Sequence, residues 1–433
     1  MHRRIPDGEL KRWLSERLPP LPGDLSFDRD LWARSTWPRA RRIPRIRSRR
    51  LFSGAAGLVA ALLLAAGWLT LHQRAPAPSF AGAPVRHQAA LPTPTRAVRT
   101  TPLSTWPAGS RPGSLPASAA ITALTFLTPQ DGFAAGHGIY FSADAGRQWV
   151  PVYTGSAGIQ GLTFVNPSIG FAWGYHDILS TVDGGLQWRL AGRVQETLQS
   201  IDWVTGNVGY AVGEGNGPLL KTTDGGRRWT ILRQSASSVS FVGPNRGWAL
   251  NGETAWHTTN GGRSWSASTI VAGASGSVFG GQIAALPDGT VWVLLRGVPG
   301  MNQDSYTVFR SGNGQSWTAV LSLSTADGPA PGNPNGTATA PGLSPGPLVA
   351  VSPETAWVSG VCAACGVGTT TVAVTQNGGR TWTTGATVSG LVPPAGLSAV
   401  NAEVGWLATQ NAGAWAVRAT RDAGMVWTRD AGP

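Results

Sequence analysis

Cysteine is almost missing from this chain, with two in 433 residues. Two thiolates make half a zinc site, and no histidine or further cysteine lies near Cys362-Ala363-Ala364-Cys365 in sequence. A thioredoxin-like role needs a βαβ setting, which is also absent. Charge is scarce too: Lys, Arg, Asp and Glu total 13% of residues, against 58 Gly and 20 Trp. That profile argues against a helical or disordered chain and for an all-β protein with many tight turns. Long apolar runs are lacking except for one, Leu51 to Leu71.

The formal net charge of +12 suggests a nucleic-acid binder, but its distribution does not. Residues 1–50 hold 14 basic and 6 acidic residues, and residues 73–118 hold five Arg and no acid. Residues 119–433 hold 15 basic and 16 acidic residues, so their net charge is −1. Nucleic acid is therefore not an expected partner.

The apolar run is long enough for a ~30 Å hydrocarbon core. Arg41, Arg42, Arg45, Arg47, Arg49 and Arg50 precede it, and such charge stays on the cytoplasmic side. The expectation is a single-pass cell-membrane protein with a basic cytoplasmic stub (1–50), a transmembrane helix (51–71) and a Pro/Ala-rich extracytoplasmic linker (72–118). The repeats (119–433) then lie outside the cytoplasm, and the membrane is a partner. A cleaved signal peptide is the alternative, but 50 residues precede the run and it is long for that role. Within the stub, Leu10, Trp13, Leu14 and Leu18 have helical spacing up to Pro19-Pro20.

What is abundant is a repeat. Seven boxes recur from residue 142 onward, each a Ser or Thr, then an Asp or Asn, a Gly and a closing Trp. The anchor residues are Asp144, Gly146 and Trp149; Asp183, Gly185 and Trp188; Asp224, Gly226 and Trp229; Asn260, Gly262 and Trp265. They continue with Asn313 and Trp317 in a box one residue short, then Asn377, Gly379 and Trp382, and Asp422, Gly424 and Trp427. Upstream of the first four lies a Gly-aromatic-small segment such as Gly170-Phe171-Ala172-Trp173-Gly174. Only its aromatic persists later, at Trp292, Trp357 and Trp406. Each unit reads as four short strands, and the spacing is about 44 residues per unit, the period of a propeller blade. The fold expected for 119–433 is an all-β, seven-bladed propeller of four-stranded blades, preceded by the transmembrane helix and the linker.

The box has a physical job. The Asp or Asn side chain accepts hydrogen bonds from its own turn, the Gly supplies φ > 0, and the Trp fills the wedge between blades. These residues resemble the Asp-box (BNR-like) repeat of sialidases, sortilin-type receptors and xyloglucan-degrading enzymes. The whole-unit pattern is most similar to the photosystem II stability/assembly factor type of seven-bladed propeller, here read as a membrane-anchored bacterial variant. That resemblance implies a protein-binding scaffold or assembly factor for a membrane complex. No enzyme activity and no cofactor or metal are expected.

A cell-surface carbohydrate-binding or glycosidase-like propeller is the alternative, and a transmembrane sensor signalling through the stub is the third reading. Glycoside hydrolysis requires two carboxylates across a cleft. Nothing in the spacing of Glu196, Glu214, Glu253 and Glu354 singles out such a pair. The sialidase-like Arg-Ile-Pro occurs only before residue 51, at Arg4-Ile5-Pro6 and Arg42-Ile43-Pro44.

Loop length points to one face. From the second-strand aromatic to the box Asp or Asn is 11 to 14 residues in the first four units, then 21, 20 and 16. The insertions Gly297–Ser305 and Gly360–Thr370 and the connection Ser324–Pro347 all extend the face opposite the boxes. Long loops on a rigid scaffold are where binding concentrates. The candidate partner-binding residues there are His137, His176, Glu214, Asn302 and Asp304. Outside the cytoplasm Cys362 and Cys365 are expected to form a local disulfide, with free thiols or metal and redox chemistry as alternatives.

Overall fold

The computed structural model describes residues 105–428, apart from 156–157, 234, 272–277, 301–302, 327, 334–339, 363–367, 394–395 and 412. All belong to one compact unit. Seven antiparallel sheets follow in chain order and form a seven-bladed propeller. Blade one is Ala123–Phe126, Gly132–Ala135, Ile139–Ser142 and Val150–Tyr153. Blades two to five repeat this up-and-down order. Blade six has an interrupted outer edge: Thr383–Thr384 and Val388–Ser389 both pair with its third strand, Thr369–Thr375. Blade seven is Leu397–Ala399, Gly405–Asn411 and Ala414–Thr420, with Thr428 bridging to Ala419 on its outer side.

The structure does not support the expected single-pass anchor. Among the described residues the one helix is a single 3-10 turn, Ala117–Ala119, and no helix is long and apolar enough to cross a membrane. The described chain is instead built of short antiparallel strands paired within blades. Leu51–Leu71, the stub and residues 72–104 lie outside the described residues. With the anchor go the membrane-anchored bacterial variant, the membrane as a partner, the cytoplasmic N-terminus and the extracytoplasmic placement of the propeller.

Each seam between blades is one apolar cluster of common design. The box Trp of each blade enters the cluster of the blade before it. Trp188 packs with Phe133 and Phe141 of blade one, and Trp427 with Trp357 of blade six. In the early blades a second-strand aromatic also stacks on the first-strand aromatic of the next blade. Phe171 lies 3.5 Å from Trp203, and Tyr210 lies 3.4 Å from Phe241, both nearly parallel. The box Trp closes the stack edge-on, as Trp229 does against Trp203 at 5.9 Å. This explains the Gly before the aromatic. A Cβ on Gly209 would lie 2.7 Å from the Trp203 ring, and one on Gly170 the same distance from Phe164.

The first strands line the axis, each beside the next. Side chains bond them across the seams. Asp202 accepts from Phe241 N–H, Ser240 Oγ from Ala285 N (3.0 Å), and Gln282 Oε1 from Leu348 N (2.9 Å). The ring closes the same way. Ser398 Oγ of blade seven accepts from Phe126 N of blade one at 2.9 Å, and Phe126 stacks on Trp406 at 3.8 Å. Residues 105–118, the described end of the expected linker, dock on this seam together with 119–121. Gly113 exchanges both backbone bonds with Trp149, and Leu115, Ala119 and Ile121 are buried beside Trp406 and Val417.

Candidate binding face

The box turns consume their own polar groups. In blade two, Thr181 Oγ1 donates to Asp183 Oδ1 (2.9 Å) and accepts from Gly185 N (2.9 Å). Asp183 Oδ1 also accepts from Gln187 N at 3.0 Å, and Trp188 Nε1 donates to Gly185 O at 3.0 Å. The hydroxyl-to-carboxylate (or amide) bond recurs in every box, from Ser142–Asp144 to Thr420–Asp422. Asp422 is held below the usual carboxylate range by the backbone N–H of Val426, with the Thr420 hydroxyl adding to it. The Ser or Thr is thus the hub of the turn. The sequence reading anchored the box on Asp, Gly and Trp and gave the hydroxyl no role, although it stands two residues before every Asp or Asn. The turn between first and second strands shares this face: Gly184 N bonds Ser168 O at 2.9 Å and Gly225 N bonds Asn207 O at 3.0 Å.

The opposite face carries the second-to-third-strand turns and the blade-to-blade connections. His137 and His176 both lie there, exposed, but separate neighbours hold them. His137 Nδ1 meets Ser118 O at 3.1 Å, and His176 O accepts from Val194 N at 2.9 Å. Glu214 is exposed in the blade-three turn, its N–H bonded to Thr197 O at 2.9 Å. Asp304 is already engaged: its carboxylate lies 3.8 Å from Arg296, and its N–H donates to Leu343 O at 2.7 Å. Asn302 lies outside the described residues. Cys362 is disulfide-bonded, and the chain's only other cysteine, Cys365, lies outside the described residues.

The insertions prove to be partly strand. Blade five extends its hairpin as Val291–Pro299 and Asp304–Ser311, so most of Gly297–Ser305 is a raised β-ribbon instead of a free loop. Gly360 and Val361 likewise pair with Thr371 and Thr370 in blade six, and Thr369 pairs with Ser389. The blade-five-to-six connection is tucked between these hairpins. Leu343 N donates to Val361 O (2.8 Å), and Tyr306 OH donates to Gly342 O (3.0 Å). Burial pushes the Tyr306 phenol well above its ordinary range.

The sequence also gave no signal for three exposed apolar side chains on this face. Tyr175 (61% exposed) tips the blade-two turn, Phe279 (60%) precedes blade five, and Leu391 (51%) lies between blades six and seven. A tip residue of either type is invisible to strand periodicity.

No protein-family profile matches the chain, and no curated protein matches it. Solved structures do. YCF48 bound to D1 peptide is 16% identical with a TM-score of 0.48, covering 75% of this chain and 99% of that one. YCF48 from Cyanidioschyzon merolae is 14% identical with a TM-score of 0.46, covering 73% and 97%. The GH74 xyloglucanase from Xanthomonas campestris is 13% identical with a TM-score of 0.50, covering 73% of this chain and 54% of the enzyme. At such identities the likeness is one of fold, the propeller. A shared fold does not set function, which has to be argued from the site.

Proposed function

We propose that this chain is a non-catalytic binding propeller that seats its ligand, a polypeptide segment, on the face opposite the boxes. The observation that carries this reading is the asymmetry of the two faces. On the box face the hydroxyls and the Asp or Asn oxygens bond within their own turns and Val182, Met425 and Val426 are exposed, whereas the other side adds the raised hairpins of blades five and six and exposed Tyr175, Phe279 and Leu391. Exposed aromatic and aliphatic side chains on a rigid frame contribute contact area at low entropic cost. Glu354 sits on the box face, 3.5 Å from Arg310, whereas Glu196, Glu214 and Glu253 lie in turns and connections of the other face.

A second reading is favoured by Tyr175 and Phe279: two solvent-facing aromatic rings also suit the apolar faces of a carbohydrate. Hydrogen exchange on the full chain, with and without ligand, tests the shared claim about the face. Protection in the turns around Tyr175, Glu214 and Phe279 is expected. Protection confined to the box turns would refute it. Peptide and glycan arrays probed with the same protein separate the two ligand classes.

A further inference from the structure

The outer rim of blade seven departs from the other blades in three ways. The first is an open edge. Blades one to five each end in a fourth strand of four to six residues, such as Thr230–Arg233. Among the described residues blade seven has only the bridge between Thr428 and Ala419, with N···O distances of 2.9 and 3.0 Å. Backbone groups of alternate strand residues point to the same side. Val417 and Trp415 therefore also present their N–H and C=O outward, and among the described residues no strand pairs with them there.

The second is a cation in the wedge between blades. Four residues before the box Asp or Asn, the other blades carry Tyr140, Leu179, Leu220, Trp256, Phe309 and Ala373. Each of these joins the apolar cluster shared with the preceding blade. Blade seven carries Arg418 instead, half-buried and in no ion pair among the described residues. Arg418 lines a cavity of about 240 Å³ at the seam with blade six, whose wall there is Ala386–Ser389. The third is the box turn. Where other boxes place pairs such as Arg227-Arg228 or Arg380-Thr381, box seven has Met425 and Val426. They are 48% and 55% exposed and line the same cavity.

We propose that this rim is a docking edge for an extended polypeptide segment bearing a carboxylate, which adds to blade seven as its fourth strand. An exposed strand edge pairs with an incoming strand through the main chain, and side chains at alternate positions supply specificity. Residues directly opposite each other in a ladder share a face of the sheet. The residue opposite Arg418 therefore sends its side chain toward the cavity, where a Glu or Asp meets the guanidinium in a charge-assisted bond. The next residue exchanges both backbone bonds with Val417, and an apolar residue before the acid rests on Met425 and Val426. The chain's own continuation, Arg429-Asp430-Ala431-Gly432-Pro433, suits this edge poorly. Continued from the Thr428–Ala419 pair, it would set Arg429 opposite Arg418, and like charges directly opposite are destabilising. Gly, Pro and Asp are also poor strand formers. A second copy would bring the same cation and no acid, since Ala414–Thr420 contains none. The edge lies on the circumference and stands independently of the ligand of the face opposite the boxes.

The test is fluorescence anisotropy of a fluorescein-labelled peptide, Ile-Glu-Val-Thr-Val-amide, titrated with the full chain. Saturable binding is expected. Replacing the peptide's Glu by Gln should weaken it about tenfold, the scale of one charged hydrogen bond. N-methylating the Val after the Glu removes the N–H offered to Val417 O and should do the same. Arg418→Leu gives blade seven the side chain that blades two and three carry at this position, so it should keep the parent Tm and lose about tenfold in affinity. Deleting residues 429–433 should leave affinity equal or higher. No saturable binding would overturn the proposal. So would equal affinity for the Glu, Gln and N-methylated peptides, or full affinity in folded Arg418→Leu. A dimer in sedimentation that the peptide dissociates would give the edge to a second copy and overturn it as well.

Discussion

Asp202→Asn should stabilise the propeller at neutral pH and leave it unchanged in mild acid. Asp202 lies on the axial first strand of blade three, Leu198–Trp203, and its carboxylate accepts from Phe241 N–H of blade four. Burial raises its pKa from 3.8 to about 6, and the Phe241 bond only partly offsets this. The neighbouring Tyr210 phenol is pushed up to about 12, first by burial and then by the Asp202 charge. Between 3.8 and about 6 the folded chain keeps a proton that the unfolded chain releases. The stability from this residue is therefore full below the lower value and is lost as pH rises through the upper one. A shift of roughly two units corresponds to about 2–3 kcal/mol. Asn keeps an acceptor oxygen for Phe241 N–H and cannot ionise. Urea unfolding of both proteins should then show the variant more stable by about 2–3 kcal/mol at pH 7.5, or by about 4–6 °C in Tm. The gap should close near pH 4, where the other carboxylates cancel in the comparison. A gap that does not change with pH, or a variant less stable than the parent at pH 7.5, would refute the reasoning.

Three further outcomes are expected. Trp188→Ala should cost about 3–5 kcal/mol in chemical unfolding, because it empties the seam between blades one and two. Thr222→Val removes the hydroxyl that accepts from buried Gly226 N (3.0 Å) and donates to Asp224 (3.0 Å), so about 1–3 kcal/mol should be lost, with Thr222→Ser retaining most of it. Replacing Cys362 and Cys365 by Ser should weaken ligand capture on the opposite face while the melting curve of the blades stays cooperative. Full capture by the double variant would remove the blade-six hairpin from the site.

The fold was legible wherever one unit's chemistry repeats. A Trp every four strands, preceded by Gly and Asp or Asn, marks each blade because every seam asks the same question of its residues. Blades five to seven were harder to read. Their first strands carry Ala285, Ala350 and Ala399 in place of the Phe126 or Trp203 type of aromatic. The box hydroxyl was visible as a recurring Ser or Thr but not as a hub, since its role depends on a hydrogen bond to a residue four positions on. The raised hairpins read as loops because Gly297, Gly300 and Gly360 look like breakers, while pairing such as Arg296 to Tyr306 is non-local. The anchor was inferred from hydropathy and flanking charge alone, and no described helix supports it. Insertion length showed which face carries the longer hairpins but gave no sign of Tyr175 or Phe279. Single exposed residues leave no periodic trace.

Ring closure by Ser398, Phe126, Trp406 and the docked segment around Gly113 and Ile121 makes the molecule a split washer. Six seams are crossed by a peptide connection between successive blades, and the seventh is held by contacts alone. Among the described residues no blade borrows a strand from the far end of the chain to clasp that gap. Any connection is therefore an equivalent place to cut: a circularly permuted chain opened between blades three and four, with the old gap bridged by a linker, keeps every sheet intact. Pulled apart mechanically, the native ring yields first where the washer is split, and the docked segment is the clasp that sets the force.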